Sequence, residues 1–352
     1  MSNPHPLAAR PTYTTAQLEQ YFASLPANPP LTLASFQKCK ANEPLAALHR
    51  LQLLTMAICP FGSLGIHYST HHTLSLDTDA VYHKIVERRQ GGYCMENNCF
   101  WSTVLRSLGY ECYVVGARVS AAEAGVRGLP GDGFGGWGHE VVIVRIQGER
   151  YLSDVGFGGR GSQQPILLKE GETGKGMPGV TQRLAKRQIA DWRFVGAGAA
   201  QGQEKLWVVD VPDERAPVDE VNGEQVSYPE VQAEKGWRPA YCFADTEWLP
   251  QDFEIINFRM CRDPTSMFVQ NLILTKPMLD EKGEKCVGQV TLVKAEVSRK
   301  MYDKDGRPKE KELLVTCTSE EQRVKALEEW FGIKLKPEEV RAIEGFPTAI
   351  KG

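Results

Sequence analysis

The sequence has no long hydrophobic run and no excess of charge of either sign. A helix needs about 20 apolar residues to cross a bilayer, and no run approaches that length, so we expect no membrane-spanning segment. The 41 basic and 44 acidic residues give a formal net charge of −3. This balance gives no electrostatic reason to expect a nucleic acid or an anionic membrane as a partner.

Targeting signals and a disulfide framework are missing as well. Residues 1–11 contain no apolar segment of a secretory signal, and residues 349–352 match no retention or lipidation motif. The nine cysteines have no regular spacing, and no Cys-x-x-Cys pair occurs. We therefore expect a reduced protein of the cytoplasm.

Two weak motifs do not meet the requirements of the sites they suggest. Residues 171–175 hint at a phosphate-binding loop, but Lys169 and Gly176 stand where that motif needs glycine and Ser or Thr. The histidines at 67, 71 and 72 lie in a loop-like segment, and no glutamate follows the first of them as in metalloprotease helices. We predict no metal site.

The first 110 of the 352 residues are predicted to form a helical bundle. A chain of this length favours two or three subdomains. Apolar residues recur at helical spacing in residues 1–110, behind residue types that cap helices. The predicted helices begin at Thr14 or Thr15, at Asn42 with Pro44 in the first turn, near Asp77 or Asp79, and at Cys94.

Residues 111–230 are predicted to form a β-barrel or closed sheet. The spacing of apolar residues changes there to two, and turn residues separate short strands. A loop rich in Gly and Pro is expected at 128–138, and another loop at 196–202. The predicted strands are 112–119, 139–146, 149–155, 165–168, 191–195 and 206–211.

Residues 231–352 mix helix and strand patterns. Helices are predicted at 250–258 and after the capping box Ser319–Gln322, with Gly332 at the end of the second. Strands are predicted at 267–275 and 287–297, and the densely charged residues 299–312 predict a solvated hairpin. The whole chain is therefore expected to be an α+β protein of several parts.

Cys94 lies at the predicted start of a buried helix, directly after Gly91 and Gly92. A thiol on the first turn is close to the positive end of the helix dipole and to unpaired backbone N–H groups. Both favour the thiolate, which is the nucleophilic form. This position predicts a catalytic cysteine; the alternative is a buried small apolar residue, the commoner role of a free cysteine.

His139 and Asp154 are the candidate base and carboxylate. A two-residue hairpin loop at 147–148 would place His139 opposite Gly156, with Asp154 diagonally across on the same face. A slip of one residue would put them on opposite faces. Taken alone, His139 would be interpreted as a structural residue at the end of a strand. Asp154 alone would be interpreted as a structural carboxylate in a turn. Together with a cysteine they are the types that nucleophilic catalysis needs.

Two motifs resemble the arylamine N-acetyltransferases. That family carries Arg-Gly-Gly-x-Cys-x-Glu-x-Asn, which residues 90–98 match except that Gln90 replaces the arginine. It also carries a strand led by His and then Asp-Val-Gly-Phe-Gly, matched by His139 and residues 154–158. Weaker similarities extend over nearly the whole chain. The family's Pro-Phe-Glu-Asn-Leu is Pro-Phe-Gly-Ser-Leu at 60–64, and Cys261-Arg262 replaces its Ser-Thr ahead of Pro264.

The resemblance implies a helical bundle, a β-barrel and an α/β lid. The Cys-His-Asp arrangement would be like that of cysteine proteases and transglutaminases. It implies ping-pong transfer, in which Cys94 takes an acyl group from acyl-coenzyme A and passes it to an arylamine, arylhydroxylamine or hydrazine. His139 and Asp154 would move and stabilise the proton. Acyl-coenzyme A is then a co-substrate, no cofactor is bound permanently, and detoxification of aromatic amines is the usual role.

Four further residues are expected to contact substrates. Phe157, beside Gly158, would pack on an aryl ring, although a core aromatic is an equal alternative. The resemblance implies that the segment around Ser266 contacts the coenzyme. Acetyl is the default acyl group, and propionyl or malonyl are alternatives. Malonyl would need a cation near its free carboxylate, for which Arg160 is a candidate by position.

Two alternatives to the transferase stay open. A Cys-His-Asp hydrolase or a transglutaminase-like enzyme would use the same residues in the same chain order on another acyl donor. A binding protein without activity would keep the fold, but the intact triad argues against it. The sequence leaves open the preferred acyl donor, the natural amine and the oligomeric state.

Overall fold

The computed structural model describes residues 10–124, 133–177, 180–189, 191, 205–213, 236–303 and 306–351. Several predicted features lie wholly or partly outside these ranges, namely the strand at 191–195, the loops at 128–138 and 196–202, and the middle of the charged hairpin at Asp305. Among the described helices, none is long and apolar enough to span a membrane.

The N-terminal part of the chain is mostly helical, as predicted. Thr14 caps the first helix by accepting a hydrogen bond from the Gln17 amide. Asp77 caps the fifth in the same way, and Cys94 begins the sixth. The elements are α1 (Thr15–Ser24), α2 (Leu33–Asn42), α3 (Pro44–Ile58), β1 (Phe61–Gly62), α4 (Leu64–His67), α5 (Thr78–Tyr82) with a π-helical turn (His83–Glu87), and α6 (Cys94–Ser107).

The predicted cap at Asn42 is wrong. Asn42 is the last residue of α2, and its Nδ2 donates to the Lys38 carbonyl at 3.1 Å. Helix α3 begins at Pro44 after Glu43, which makes no side-chain cap. Sequence reasoning missed α2 because the buried residues of this helix are only Leu33 and Phe36, too few to give a periodic signal.

Eight antiparallel strands form a sheet that nearly closes into a barrel, with the order β5-β4-β3-β2-β9-β8-β7-β6. Its two edges approach where the Gln163 amide donates to the Lys175 carbonyl at 2.8 Å. The elements are β2 (Glu111–Ser120), α7 (Ala121–Ala124), β3 (Phe134–Ile146), β4 (Glu149–Ser153), a 3-10 turn (Gly158–Arg160), β5 (Ile166–Leu167), β6 (Thr173–Lys175), β7 (Thr181–Arg187), β8 (Leu206–Pro212) and β9 (Trp237–Phe243).

The bundle and the barrel share one apolar core. Phe100 and Trp101 of α6 are fully buried, and Phe100 packs edge-on to Tyr21 with 5.5 Å between ring centroids. Val142 and Val144 of β3 belong to the same cluster. Burial of each such side chain contributes about 1.5–3 kcal/mol. The shared core therefore fixes α6, which begins with Cys94, against the strand that carries His139.

The C-terminal part consists of a second sheet with helices around it. This sheet has the order β1-β10-β11-β12-β13, so the short β1 of the N-terminal part pairs with β10. The remaining elements are α8 (Pro250–Arg262), α9 (Met267–Gln270), β10 (Ile273–Leu279), β11 (Cys286–Val293), β12 (Glu296–Met301), β13 (Glu312–Thr316), α10 (Glu320–Ala326) with a π-helical turn (Leu327–Phe331), and α11 (Pro337–Arg341).

Two strand predictions in this part need correction. Residues 267–270 form helix α9, and the strand begins only at Ile273, because a short apolar run has no period that separates helix from strand. The predicted strand 287–297 is two strands, since the chain turns at Lys294 with a φ of +56°. The hairpin over 299–312 is confirmed by the pairing of Arg299 with Glu312. Ser319 caps α10 as expected.

The division of the chain at residues 110 and 230 stays a prediction. Strand β9 follows residue 230 in sequence, yet it pairs with β2 and β8 inside the barrel sheet. Strand β1 precedes residue 110, yet it belongs to the C-terminal sheet. The C-terminal part is thus paired through single strands with both of the other parts, through β9 with the barrel and through β1 with the N-terminal part.

Candidate active site

Gly91 and Gly92, ahead of Cys94, allow the chain to pass close to the backbone of Pro60 and Gly62. Gly91 has a φ of +62°, and a Cβ there would lie 2.0 Å from the Pro60 carbonyl oxygen. The Gly62 amide donates to the Gly92 carbonyl at 2.9 Å, and the Gly92 amide donates to Pro60 at 3.1 Å. Only glycine fits Gly91 without strain. This close approach fixes the direction in which α6 starts.

A buried ion pair supports the first turn of α6. Lys84 Nζ lies 2.6 Å from Glu96 Oε1, and the Glu96 carboxylate also accepts from the Tyr93 amide at 3.2 Å. Arg89 is turned away and donates to the Ser24 carbonyl at 3.1 Å. Although Gln90 replaces the motif arginine, the cation at this helix start comes from Lys84. Sequence reasoning did not identify that residue.

His139 and Asp154 form a buried hydrogen-bonded pair. His139 Nε2 lies 2.8 Å from Asp154 Oδ2, and each residue is 1% exposed. The predicted hairpin register is confirmed, because β3 and β4 pair from Ile146 with Glu149 onwards. Gln147 and Gly148 form the loop with φ values of +52° and +86°, as a two-residue hairpin turn requires. This bond leaves Nδ1 of His139 as the nitrogen available to a thiol.

Asn98 holds the far side of the Asp154 carboxylate. Asn98 Nδ2 donates to Asp154 Oδ1 at 2.8 Å, and the Gly156 amide donates to the same oxygen at 2.7 Å. Burial raises the pKa of Asp154, but His139, Asn98 and Gly156 outweigh burial, so the pKa lies below its ordinary value. The sequence motif contains Asn98 but assigns it no role. Its position one turn after Cys94 was the signal that could have found it.

Tyr241 of β9 is a further neighbour of the pair that sequence reasoning missed. Its ring lies 5.0 Å from the His139 ring, centroid to centroid. Burial raises the pKa of Tyr241 well above its ordinary value, and the hydrogen bond to Asp154 raises it further. Tyr241 therefore stays a neutral donor to the carboxylate.

The Cys94 thiol is 4% exposed, and its Sγ lies 3.4 Å from the Gly138 carbonyl oxygen, next to His139. Burial raises the pKa of this thiol, and the carboxylates of Asp154 and Glu140 raise it further, whereas the Met95 amide lowers it. The Met95 amide, on the first turn of α6, acts on the thiol in the predicted direction, but its effect is smaller than that of burial. A nucleophilic Cys94 needs a base that takes its proton during attack.

One cavity of about 830 Å³ brings together most of the predicted site residues. Cys94 and His139 line it, and Asp154 lies behind His139 outside the lining. Phe157 lines the cavity and also packs on His139 and Tyr241. Residues from all parts of the chain complete the wall, among them Phe61, Glu123, Gly158, Arg160, Arg259, Ser266 and Gln289.

Of the three histidines at 67, 71 and 72, His67 and His72 have structural partners. His67 is fully buried against the Phe268 carbonyl at 2.9 Å and Thr348 Oγ1 at 2.7 Å, and burial lowers its pKa to about 4. His72 Nδ1 bonds to the Ile66 carbonyl at 2.8 Å. Across the ranges that the structure describes, no group of three or more His, Cys, Asp or Glu side chains could hold a metal ion.

Comparison with known proteins agrees with this geometry. Residues 44–340 match the family model described as N-acetyltransferase. The chain is 33% identical over 347 residues to N-malonyltransferase FDB2 of Gibberella moniliformis, covering 96% of this chain and 93% of that protein. It is 40% identical over 200 residues to an arylamine N-acetyltransferase of Mycolicibacterium smegmatis, covering 56% and 57% of the two chains.

The chain belongs to the arylamine N-acetyltransferase family. The fold agrees with that of a Mycobacterium marinum arylamine N-acetyltransferase solved in complex with coenzyme A, with a TM-score of 0.61. That match has 21% identity and covers 86% of this chain and 93% of the other. The predictions of the family, of an α+β fold in several parts and of an acyltransferase enzyme are confirmed.

Proposed function

We propose that this arylamine N-acetyltransferase family member transfers an acyl group from acyl-coenzyme A, through a thioester on Cys94, to the nitrogen of an arylamine, arylhydroxylamine or hydrazine. The observation that supports this most is the arrangement of three groups. The Cys94 sulfur and the His139 ring both line one cavity, and Asp154 bonds to the histidine from behind.

The first half-reaction is thioester exchange. As Cys94 Sγ attacks the acyl carbonyl carbon, Nδ1 of His139 takes the thiol proton, and Asp154 stabilises the resulting imidazolium. The carbon–sulfur bond to coenzyme A then breaks, and its thiolate takes the proton from His139. Because a thioester is exchanged for a thioester, the step is close to balanced in free energy and is reversible.

The second half-reaction passes the acyl group to nitrogen. Arylamines are weak bases, so they are neutral and nucleophilic near pH 7. The nitrogen attacks the Cys94 thioester, His139 accepts the proton of the nitrogen, and the proton returns to the Cys94 thiolate as it leaves. The aromatic rings of Phe157 and Phe61 line the cavity and offer surfaces for an aryl ring.

We further propose malonyl-coenzyme A as the preferred donor, with acetyl and propionyl as alternatives. The relative that is 33% identical over nearly the whole chain is an N-malonyltransferase by name. The coenzyme is supported by the related fold that was solved with coenzyme A. We place the activity in the cytoplasm, in the detoxification of aromatic amines, on the strength of the family's usual role and of nine free cysteines.

The test is the mass of the intact protein after mixing with acetyl-, propionyl- or malonyl-coenzyme A without amine, for the wild type and Cys94→Ala. We expect one acyl adduct in the wild type, none in the variant, and discharge of the adduct by an arylamine. An adduct that water removes as fast as the amine does would favour a Cys-His-Asp hydrolase. No adduct from any donor would contradict the transferase proposal.

A further inference from the structure

The two arginines that line the cavity differ in how their charge is balanced. Arg259 Nε lies 3.5 Å from Asp263 Oδ2 in a one-to-one pair, and its side chain is 68% exposed. Arg160 Nη1 lies 3.2 Å from Glu123 Oε1, and Arg238 contacts that same carboxylate oxygen. Arg160 therefore shares its counter-ion with a second guanidinium.

The Arg160–Glu123–Arg238 group holds two positive charges and one negative charge. Because arginine stays protonated in proteins, the group carries a surplus of positive charge. The side chains of Glu123 and Arg238 are 12% and 9% exposed, so solvent and salt screen this surplus less than they screen a surface charge. Arg160, at 41% exposure, is the member that an incoming anion can reach.

Polar atoms without partners lie on the same cavity wall. Gln289 Oε1 and Ser266 Oγ are buried, and neither has a hydrogen-bond partner among the described residues. A Cβ on Gly159 would lie 2.9 Å from Gln289 Oε1, so this amide lies against the turn that carries Arg160. A glutamine amide rotates readily about its last bond and can present either its oxygen or its NH₂ group.

We propose that Arg160 binds the free carboxylate of a dicarboxylic acyl group, malonyl in the first instance, while its thioester carbonyl meets Cys94. The Gln289 amide donates a second hydrogen bond to the same carboxylate. This inference rests on the transferase function proposed above. A guanidinium pairs with a carboxylate through two parallel N–H···O bonds, whereas acetyl and propionyl offer no partner. Arg160 thereby sets the preference between donors.

The test measures kcat/KM for acyl-enzyme formation with malonyl- and acetyl-coenzyme A, from the release of free coenzyme thiol in single turnovers. The variants are Arg160→Ala, Arg160→Lys and, as the matched control, Arg259→Ala. We expect the malonyl-to-acetyl ratio to fall about 10- to 100-fold in Arg160→Ala and less in Arg160→Lys. In Arg259→Ala it should stay within about twofold, because an exposed one-to-one pair contributes little.

A second variant covers the case in which Arg160→Ala folds poorly. Glu123→Gln removes the carboxylate that competes for Arg160, so the malonyl-to-acetyl ratio should rise. Short acyl thioesters of N-acetylcysteamine, which lack the coenzyme's phosphates, should show the same changes in ratio.

Two outcomes would overturn the role of Arg160. They are an unchanged malonyl-to-acetyl ratio in Arg160→Ala and a wild type that reacts with acetyl but not with malonyl. An unchanged ratio in which the rates with both donors fall equally would place Arg160 on the shared coenzyme. Failure of the transferase function would look different, since no donor would then acylate wild-type Cys94.

Discussion

Asn98 Nδ2 donates a hydrogen bond to Asp154 Oδ1 at 2.8 Å, and this contact ties the helix that begins with Cys94 to the carboxylate. Asn98 Oδ1 in turn accepts from the Val155 amide at 3.1 Å. Cys94 begins the helix that carries Asn98 four residues later. The Asn98 amide therefore helps to fix the position of the Asp154 carboxylate relative to the Cys94 thiol, because it donates to the carboxylate and accepts from the backbone next to it.

Asn98→Ala is expected to lower kcat/KM for acyl transfer about 10- to 100-fold and the free energy of unfolding by about 1–3 kcal/mol, because Asp154 and the Val155 amide lose buried partners. The matched control is Asn97→Ala on the same helix. Among the residues that the structure describes, the Asn97 side chain donates to the Cys59 carbonyl alone, at 3.4 Å. For both variants, steady-state kinetics measures kcat/KM and chemical denaturation measures the free energy of unfolding. Equal kinetic losses in the two variants would contradict a positioning role for Asn98.

Asp154→Asn is expected to lower kcat/KM by about 10²- to 10⁴-fold with the fold retained. The neutral amide cannot stabilise the His139 imidazolium and favours the wrong tautomer. Circular dichroism checks that the variant is folded, and stopped-flow kinetics measures the rate at which Cys94 is acylated. Acylation at the wild-type rate would mean that another carboxylate supports the histidine.

Glu140→Gln is expected to flatten the dependence of stability on pH. Burial raises the pKa of Glu140 well above its ordinary value, and nearby Asp154 raises it further, against the effect of Arg106. A carboxyl whose pKa is raised in the folded state contributes stability that is fully present below about pH 4.3, which is its pKa in the unfolded state. This stability is lost as the pH rises through its pKa in the folded state. The wild type should therefore lose stability towards high pH, and the variant should lose less.

Denaturant unfolding at several pH values between 5 and 9 measures this effect, with Glu111→Gln as the control. Glu111 is exposed and pairs with Arg145 at 2.8 Å on the surface. Its replacement should leave the pH dependence close to that of the wild type. Parallel curves for the wild type and Glu140→Gln would show that Glu140 does not titrate with folding.

Gly91→Ala is expected to destabilise the fold by several kcal/mol. The new Cβ would combine a φ of +62° with a 2.0 Å approach to the Pro60 carbonyl oxygen. The control is Gly148→Ala, where φ is +86° but no atom lies within 4 Å of the new Cβ. That variant should lose only about 1–2 kcal/mol, the conformational part. Similar melting points for the two variants would show that the backbone near Pro60 moves away from the new Cβ at little cost in stability.

Features that depend on neighbours in sequence were predictable. The hairpin at Gln147-Gly148 fixes which residues of β3 and β4 face each other, so counting from the turn placed His139 and Asp154 on one face. The caps at Thr14, Asp77 and Ser319 are local as well, because each accepts hydrogen bonds from amides within three residues.

Predictions failed where packing overrides a weak local pattern. Residues 267–270 are apolar enough for a strand, but they form a helical turn whose Phe268 and Val269 are buried. Helix α2 buries so few residues that its period is not visible. In both places the decisive contacts come from distant segments.

The sequence by itself determined the family, the Cys-His-Asp triplet and the register that joins His139 to Asp154, because motif and hairpin act over short chain distances. Only the tertiary structure decided the burial of Cys94 near Asp154 and Glu140, which raises the pKa of its thiol. It also decided that Arg160 shares its counter-ion with Arg238. Glu123, Arg160 and Arg238 are far apart in sequence, and they form one charged group only where the barrel brings the side chains together.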